Sequence, residues 1–278
     1  MRIGVRGSDL ALAYASAATM ILEHKSFIDA EIVVIKTDGD IHQDVPIHEI
    51  GGKAVFCSAI ETALLNGDID VAVHSLKDMP ADVEVAELEI SAVLERRDPR
   101  DCVIGNMGIN AKVGTGSPRR AAQLKILNPY IQVSPIRGNI DTRIAKLDAG
   151  EYDAIILAVS GLETLGLEHR INKIFNIDEM LPAIGQGVIA LQTVKDSEAS
   201  QIIKTKNHLD TYYAAMAERR MLKVIDGDCH TAIGCISSVV GDCIMLQAHN
   251  YETGKHGSVI GKKLDYLKLG ESLGVKLI

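Results

Sequence analysis

The sequence contains no tryptophan and only three phenylalanines in 278 residues, so its cores must be built from aliphatic side chains. It has no uninterrupted apolar run of the roughly 20 residues that a membrane-spanning helix needs. Its opening, Arg2-Ile3-Gly4-Val5-Arg6, reads as folded sequence rather than as a charged-then-apolar leader. The five cysteines, at 57, 102, 229, 235 and 243, are odd in number and form no paired framework. That argues against a disulfide scaffold and predicts a reducing, cytoplasmic setting. A basic excess is missing too: 29 Lys and Arg against 37 Asp and Glu leave a net charge of −8, which argues against a general nucleic-acid binder. Small anionic ligands are not excluded, because the field in a cleft is set by nearby groups.

Apolar residues make up 47% of the chain, enough for sizeable cores, and the length predicts two or three domains. Arg2 to Val5 reads as a strand, and Ser8 as the N-cap of an alanine-rich helix from about Leu10 to His24. Glu31 to Lys36 reads as a second strand. Ala54 to Leu65 reads as a helix ended by Asn66-Gly67, and Ile69 to Val73 as a buried strand. A second unit repeats the rhythm, with strands at Cys102 to Ile104, Val113-Gly114, Ile131 to Val133 and Ala154 to Val159. The charged, proline-broken run Glu95 to Asp101 reads as the crossover between the two. Val188 to Thr193 is a later strand able to return to the first sheet. A helix follows over Tyr212 to Leu222, and Gly234 to Leu246 opens a third, smaller unit. The pattern predicts an α/β protein with parallel or mixed sheets and helices on both faces.

Three strand ends carry arginine beside glycine or serine. Arg6-Gly7-Ser8 follows the first strand. Gly114-Thr115-Gly116-Ser117-Pro118-Arg119-Arg120 leads into a helix with Ser at the N-cap and Pro at its first position. Arg137-Gly138-Asn139-Ile140-Asp141-Thr142-Arg143 makes a similar junction after a β-rich run. Ligands of open α/β sheets bind at the carboxyl ends of strands, and free N–H groups at such junctions favour anions. Two arginines in a first helical turn run against the dipole preference for acids. An anion at the site would account for them; so would an ordinary capped helix with solvated arginines. Because the arginine fork grips carboxylates bidentately, the expected ligand is a polycarboxylate or a phosphate.

His74-Ser75-Leu76-Lys77-Asp78-Met79-Pro80 puts a carboxylate beside a lysine at another strand end. It reads either as a solvated ion pair or as a carboxylate that moves protons and stabilises a cation. Asp226 to Gly234 places Cys229 in a polar loop, a poor core position, which suits a covalent role. A zinc site from Cys229, His230, Cys235 and Cys243 is the other reading, although the spacings match no familiar pattern.

Taken in order, VRGSDLAL (5–12), IGGKAVF (50–56), DIDVAVHSLKDMP (68–80), RRDPRD (96–101), GTGSPRR (114–120), RGNIDTR (137–143), GEYDAIILAVSGLETLGL (150–167), LPAIGQGVIAL (181–191) and the ER…GDCHTAIG segment form a set. That ordered set resembles the hydroxymethylbilane synthase family, also called porphobilinogen deaminase. The resemblance implies three α/β domains: 1–94 with 189–207, then 95–188, then 208–278. The first two would resemble the halves of a type II periplasmic binding protein, and the third would carry the cofactor cysteine. By the same resemblance, Cys229 holds a dipyrromethane cofactor through a thioether and Asp78 is the catalytic aspartate. Arg6, Ser8, Lys53, Lys77, Thr115, Ser117, Arg119, Arg120, Arg137, Gly138, Asn139, Arg143 and Gln186 bind cofactor and substrate. The implied reaction condenses four porphobilinogen molecules with loss of ammonia and ends in hydrolysis to hydroxymethylbilane, in tetrapyrrole (porphyrin, heme) biosynthesis. No metal is implied, and the expected form is a cytoplasmic monomer without nucleic-acid or membrane partners.

Several positions depart from the family pattern. Glu49 stands where a basic residue is usual, Thr164 where an arginine is frequent, Tyr14 for a glutamine and Pro118 for a leucine. Asp228 and Ala232 replace a small residue and a proline in the cysteine loop. Each lost charge-assisted contact should weaken carboxylate binding by about 1–3 kcal/mol, and Asp228 should raise the thiol pKa of its neighbour. The rival reading is a non-catalytic cytoplasmic binding protein for a polycarboxylate, which would need neither Asp78 nor Cys229.

Overall fold

The structure, a computed structural model, describes residues 1–26, 28–37, 57–81, 85–228 and 231–278. The described chain forms three sheets and divides into two compact units, Met1–Arg96 with Val188–Tyr212, and Arg97–Gly187 with Tyr213–Ile278.

In the first unit, β1 (Arg2–Val5) lies between β2 (Glu31–Val34) and β3 (Val71–Ser75), parallel to both. The sheet is completed by β4 (Leu88–Val93) and by a strand from much later in the chain, β10 (Ile189–Val194). β10 runs antiparallel between β3 and β4, giving the order β2-β1-β3-β10-β4. Side chains alternate across β3, as the two-residue repeat of a strand requires. Val71 and Val73 join the core under α1 (Asp9–Ser26) with Ile3, Val5, Ala15 and Leu22. Ala72 points the other way, into a core with Ile60 and Leu64 of α2 (Ser58–Leu65). The Ser8 hydroxyl accepts the Ala11 N–H at 3.3 Å, capping α1 where the sequence places its start. The strand expected at Ile69 to Val73 begins two residues later. The pairing of Ser75 with Ile189 and of His74 with Ala190 draws those two polar residues into the ladder.

The second unit repeats this plan in β7-β6-β8-β5-β9. β6 (Lys112–Gly114) runs parallel to β7 (Gln132–Ser134) and β8 (Ala154–Ala158), whereas β5 (Asp101–Gly105) runs antiparallel to β8 and β9 (Lys173–Ile174). β8 is buried at all five positions, as a central strand covered on both faces should be. Ala154 and Ile156 enter one core, with Phe175, and Ile155 and Leu157 the other. Two helices start where this sheet's parallel strands end, α3 (Pro118–Leu127) and α4 (Ile140–Asp148). The expected strand to Val159 stops at Ala158, because the Val159 N–H donates to Arg100 O and Val159 opens α5 (Val159–Thr164).

Also in this unit, β11 (Ile233–Val240), β12 (Cys243–Asn250) and β13 (His256–Lys262) form an antiparallel meander. α6 (Glu198–Lys204) belongs to the first unit, and α7 (Leu209–Val224) carries the chain toward the meander. The closing helix α8 (Tyr266–Leu277) meets α7 at two glycines one turn apart. A Cβ on Gly270 would lie 2.3 Å from Ala217 O, and one on Gly274 would lie 2.7 Å from Val224 Cβ. Only backbone fits there. No described helix is long and apolar enough to cross a membrane.

Phe175 is fully buried among aliphatic neighbours. Phe175→Ala should therefore lower unfolding free energy by about 3–5 kcal/mol, read as an earlier chemical-denaturation midpoint for the second unit.

Candidate active site

Parallel neighbours in a sheet end at the same edge, so residues following β1 and β3 are brought together in the first unit. Arg6, Ser8 and Asp78 line one cleft, with Leu10, Ala11, Tyr14, Cys57, Val73, His74 and Ser75. Asp78 ends a single 3-10 turn, Leu76–Asp78, that leaves β3. Its side chain is exposed and that of Lys77 partly buried, whereas Leu76 anchors the turn in the core and donates its N–H to Val188 O at 2.9 Å.

The second unit gathers the other predicted residues at the ends of β6 and β7. The Thr115 N–H donates to Ser134 O, and the Thr115 hydroxyl accepts the Ser117 N–H at 3.1 Å. Ser117 caps α3 by accepting the Arg120 N–H, with Pro118 in the first turn, as the sequence indicates. Gly138 has φ +110°, and a Cβ there would come within 2.7 Å of Thr142; its carbonyl accepts from Arg143 Nε at 2.7 Å. Asn139 is the N-cap residue of α4, without a side-chain cap bond.

Both Arg119 and Arg120 are buried around a residue that sequence reasoning did not single out, Asp101. Arg119 Nη1 donates to Asp101 Oδ2 at 2.7 Å and to Leu181 O. Arg120 donates through Nε and Nη2 to Asp101 Oδ1 and through Nη1 to Ile156 O. Gln186 Nε2 adds a donor to Asp101 Oδ1 at 2.9 Å. Burial alone would raise the Asp101 pKa, but Arg119 and Arg120 outweigh it and hold the carboxyl well below the usual range. Burial pulls Arg119 down, Asp101 pushes it back up and Arg120 lowers it again; a guanidinium stays charged throughout. Two cations share one anion, so the cluster keeps a net positive charge. Arg119 Nε and Arg137 Nη1 are buried and find no hydrogen-bond partner among the described residues.

Lys53, Glu49 and Cys229 lie outside the described residues. The flanks of the cysteine loop are described. Asp228 Oδ1 accepts from both the N–H and the hydroxyl of Thr231 at 3.2 Å, and the Ala232 N–H donates to Glu252 Oε1 at 2.9 Å. Cys235 is buried and pairs with Ala248, five residues along β12 from the exposed Cys243. That is roughly 17 Å at strand rise, so these two cannot share a zinc ion. Among the described residues no group of three or more His, Cys, Asp or Glu could hold a metal. Burial pushes the Cys102 thiol up to about 12, which leaves it unreactive. Thr164, where an arginine was expected, accepts from Arg97 Nη1 at 2.8 Å, so a guanidinium reaches that position from another segment.

A mixed-sheet α/β protein with arginines, buried guanidinium donors and one exposed carboxylate at its strand ends is built to handle anionic substrates. The chain matches the family model described as porphobilinogen deaminase, dipyromethane cofactor binding domain, over residues 1–202. It is 40% identical to the porphobilinogen deaminase of Clostridium kluyveri, over 100% of this chain and 98% of that protein. It is 39% identical to that of Acetivibrio thermocellus, over 100% and 96%. Among solved structures, immunogenic lipoprotein A from Vibrio vulnificus is similar at 13% identity and a TM-score of 0.46, over 78% of this chain and 99% of that one. The chain belongs to the porphobilinogen deaminase family.

The depressed Asp101 pKa means that its contribution to stability is present above the unfolded value of about 3.9 and is lost as pH falls below it. Asp101→Asn strands two buried arginines, which should cost about 3–5 kcal/mol at neutral pH. The variant should also lose this share of the acid-side decline when Tm is followed from neutral pH into acid.

Proposed function

We infer that this chain is a transferase that condenses four porphobilinogen molecules head to tail, releasing ammonia, and then releases hydroxymethylbilane by hydrolysis, in tetrapyrrole biosynthesis. The observation that carries the reading is the donor set at the ends of β6 and β7. Arg119 Nε, in a cluster of net positive charge, and Arg137 Nη1, after β7, are buried without a hydrogen-bond partner among the described residues. Buried donors left unpaired are costly, and carboxylate oxygens are the acceptors that suit guanidinium best. A dipyrromethane group, with its acetate and propionate arms, fits that set. When bound, it supplies a pyrrole α-carbon as the nucleophile that extends the chain.

The protein's own residues divide the remaining work. Arg119, Arg137 and Arg143 take carboxylates, with Thr115, Ser117, Gly138 and Asn139 shaping the loops that present them. Arg120 and Gln186 bind Asp101 and so set the orientation of Arg119. In the other unit, Asp78 extends into the cleft that Arg6 and Ser8 border. When the carbon–nitrogen bond of porphobilinogen breaks, ammonia leaves and a cationic azafulvene remains. The Asp78 carboxylate stabilises that cation and accepts the proton that must leave once the new carbon–carbon bond has formed. Lys53 and Lys77 add substrate-binding charge, and Cys229 is the attachment point. The working unit is a cytoplasmic monomer of three domains (1–94 with 189–207, 95–188, 208–278) without a nucleic-acid partner.

Intact mass of the denatured protein, before and after porphobilinogen, tests this directly. The wild type should exceed its polypeptide mass by one dipyrromethane and gain single-pyrrole steps with substrate. Cys229→Ser should show the bare polypeptide. Asp78→Asn should keep cofactor and fold yet lose product formation by at least about 100-fold, the usual scale of general acid–base catalysis. Wild-type turnover in Asp78→Asn would remove the catalytic assignment.

A further inference from the structure

From the wall of the Asp78 cleft, where Cys57 and His74 lie, runs a line of buried polar side chains for which the reaction has no direct use. Gln192 of β10 donates from Nε2 to Glu61 Oε1 of α2 at 2.9 Å. Its carbonyl Oε1 therefore faces His74, 3.0 Å from Nε2. A carbonyl can only accept, so His74 donates from Nε2; in the neutral ring Nδ1 is then the acceptor, on the opposite side. There it meets the Cys57 thiol at 3.9 Å. Cys57 is the N-cap residue of α2, and its sulfur also lies 3.7 Å from the backbone carbonyl of Asp78. His74, Gln192 and Cys57 are 6%, 5% and 1% exposed, so water cannot substitute for these bonds.

The topology explains why the line runs where it does. His74 and Gln192 sit on adjacent antiparallel strands, two register positions apart and on the sheet face that α2 covers. The start of α2 thus lies against the end of β3, from which the turn bearing Asp78 departs. The backbone fastens that turn at its first residue, through Leu76 to Val188, and closes it on itself through the Met79 N–H and Leu76 O. At Asp78 itself, the Cys57 thiol ties the turn to α2.

We propose that Cys57, oriented by His74, is a positioning residue that sets the pose of Asp78 by holding its backbone carbonyl. The single S–H is shared between His74 Nδ1 and Asp78 O, and the Glu61–Gln192–His74 line fixes the tautomer that makes His74 an acceptor. Cys57 touches no reacting atom. It acts through Asp78, so its loss lowers the rate of the chemical step without weakening substrate binding. The kinetic part of this proposal rests on Asp78 being the catalytic carboxylate.

The test compares wild type, Cys57→Ala and Cys57→Ser as full-length protein, by steady-state kinetics with porphobilinogen and by amide hydrogen exchange of the segment 76–79. Cys57→Ala should lower kcat about fivefold, the rate equivalent of one hydrogen bond of about 1 kcal/mol. KM should stay within about twofold, and exchange at 76–79 should rise by a similar factor. Cys57→Ser, which keeps a donor, should recover most of both effects. Unchanged kcat and exchange in Cys57→Ala would overturn the proposal, as would serine failing to rescue. A lower Tm with no change in either readout would overturn it too, by reducing Cys57 to a packing role. If even wild type yields no product, the enzyme reading falls, while exchange at 76–79 still decides whether Cys57 holds the turn.

Discussion

In the second unit, the placing of Arg119, Arg120 and Gln186 depends on one carboxylate. Asp101 opens β5, the antiparallel strand of its sheet, and a strand that runs against its neighbours begins where they end. Its side chain therefore lies at the edge where β6 and β8 finish, beside Ala158 in register and within reach of the first turn of α3. Two guanidinium groups converge on it and Gln186 adds a third donor. A buried ionic cluster of this kind is weak evidence for stability, because desolvation consumes much of the Coulombic gain. Its effect is on geometry. Arg120 has its Nε and both Nη atoms committed to protein oxygens, whereas Arg119 has Nη1 committed and a buried Nε without a partner among the described residues.

The first unit solves the same problem of holding a functional group at a strand end by different means. Asp78 is exposed at the end of a short turn, and the groups beneath it form a line of side chains rather than a charged cluster around one carboxylate. That line ends in a thiol, a weak donor, which suits a tether that orders a turn without adding charge beside the Asp78 carboxylate. Both units follow one sheet plan, with parallel strands presenting their carboxyl ends and one antiparallel strand inserted.

Four of the departures from the family pattern have a local structural setting. Pro118 costs α3 nothing, since the first helical turn has no intrahelical use for its N–H. Thr164 lacks a charge of its own but receives the Arg97 guanidinium. Asp228 binds Thr231, so its carboxylate is engaged in the turn that flanks the cysteine loop. Tyr14 takes its place in the wall of the Asp78 cleft.

By itself the sequence determined the class of fold and most strands. Hydrophobic periodicity marks β1, β6 and β8 to within a residue or two, and the capping chemistry of Ser8 and Ser117 marks two helix starts. Glycine and arginine after a strand mark a candidate ligand edge because free N–H groups and charge collect there. Weakly patterned segments escaped it: β4, the edge strand β13 with its glycines, and α8. So did everything that depends on partners distant in the chain. Asp101 reads as one more charge in a crossover until Arg119, Arg120 and Gln186 surround it, and His74 reads as part of a polar turn until β10 pairs with it. The reason is physical. Periodicity and capping are set by residues within a turn or two of each other, whereas burial, protonation and hydrogen-bond direction are set by whatever the fold brings alongside.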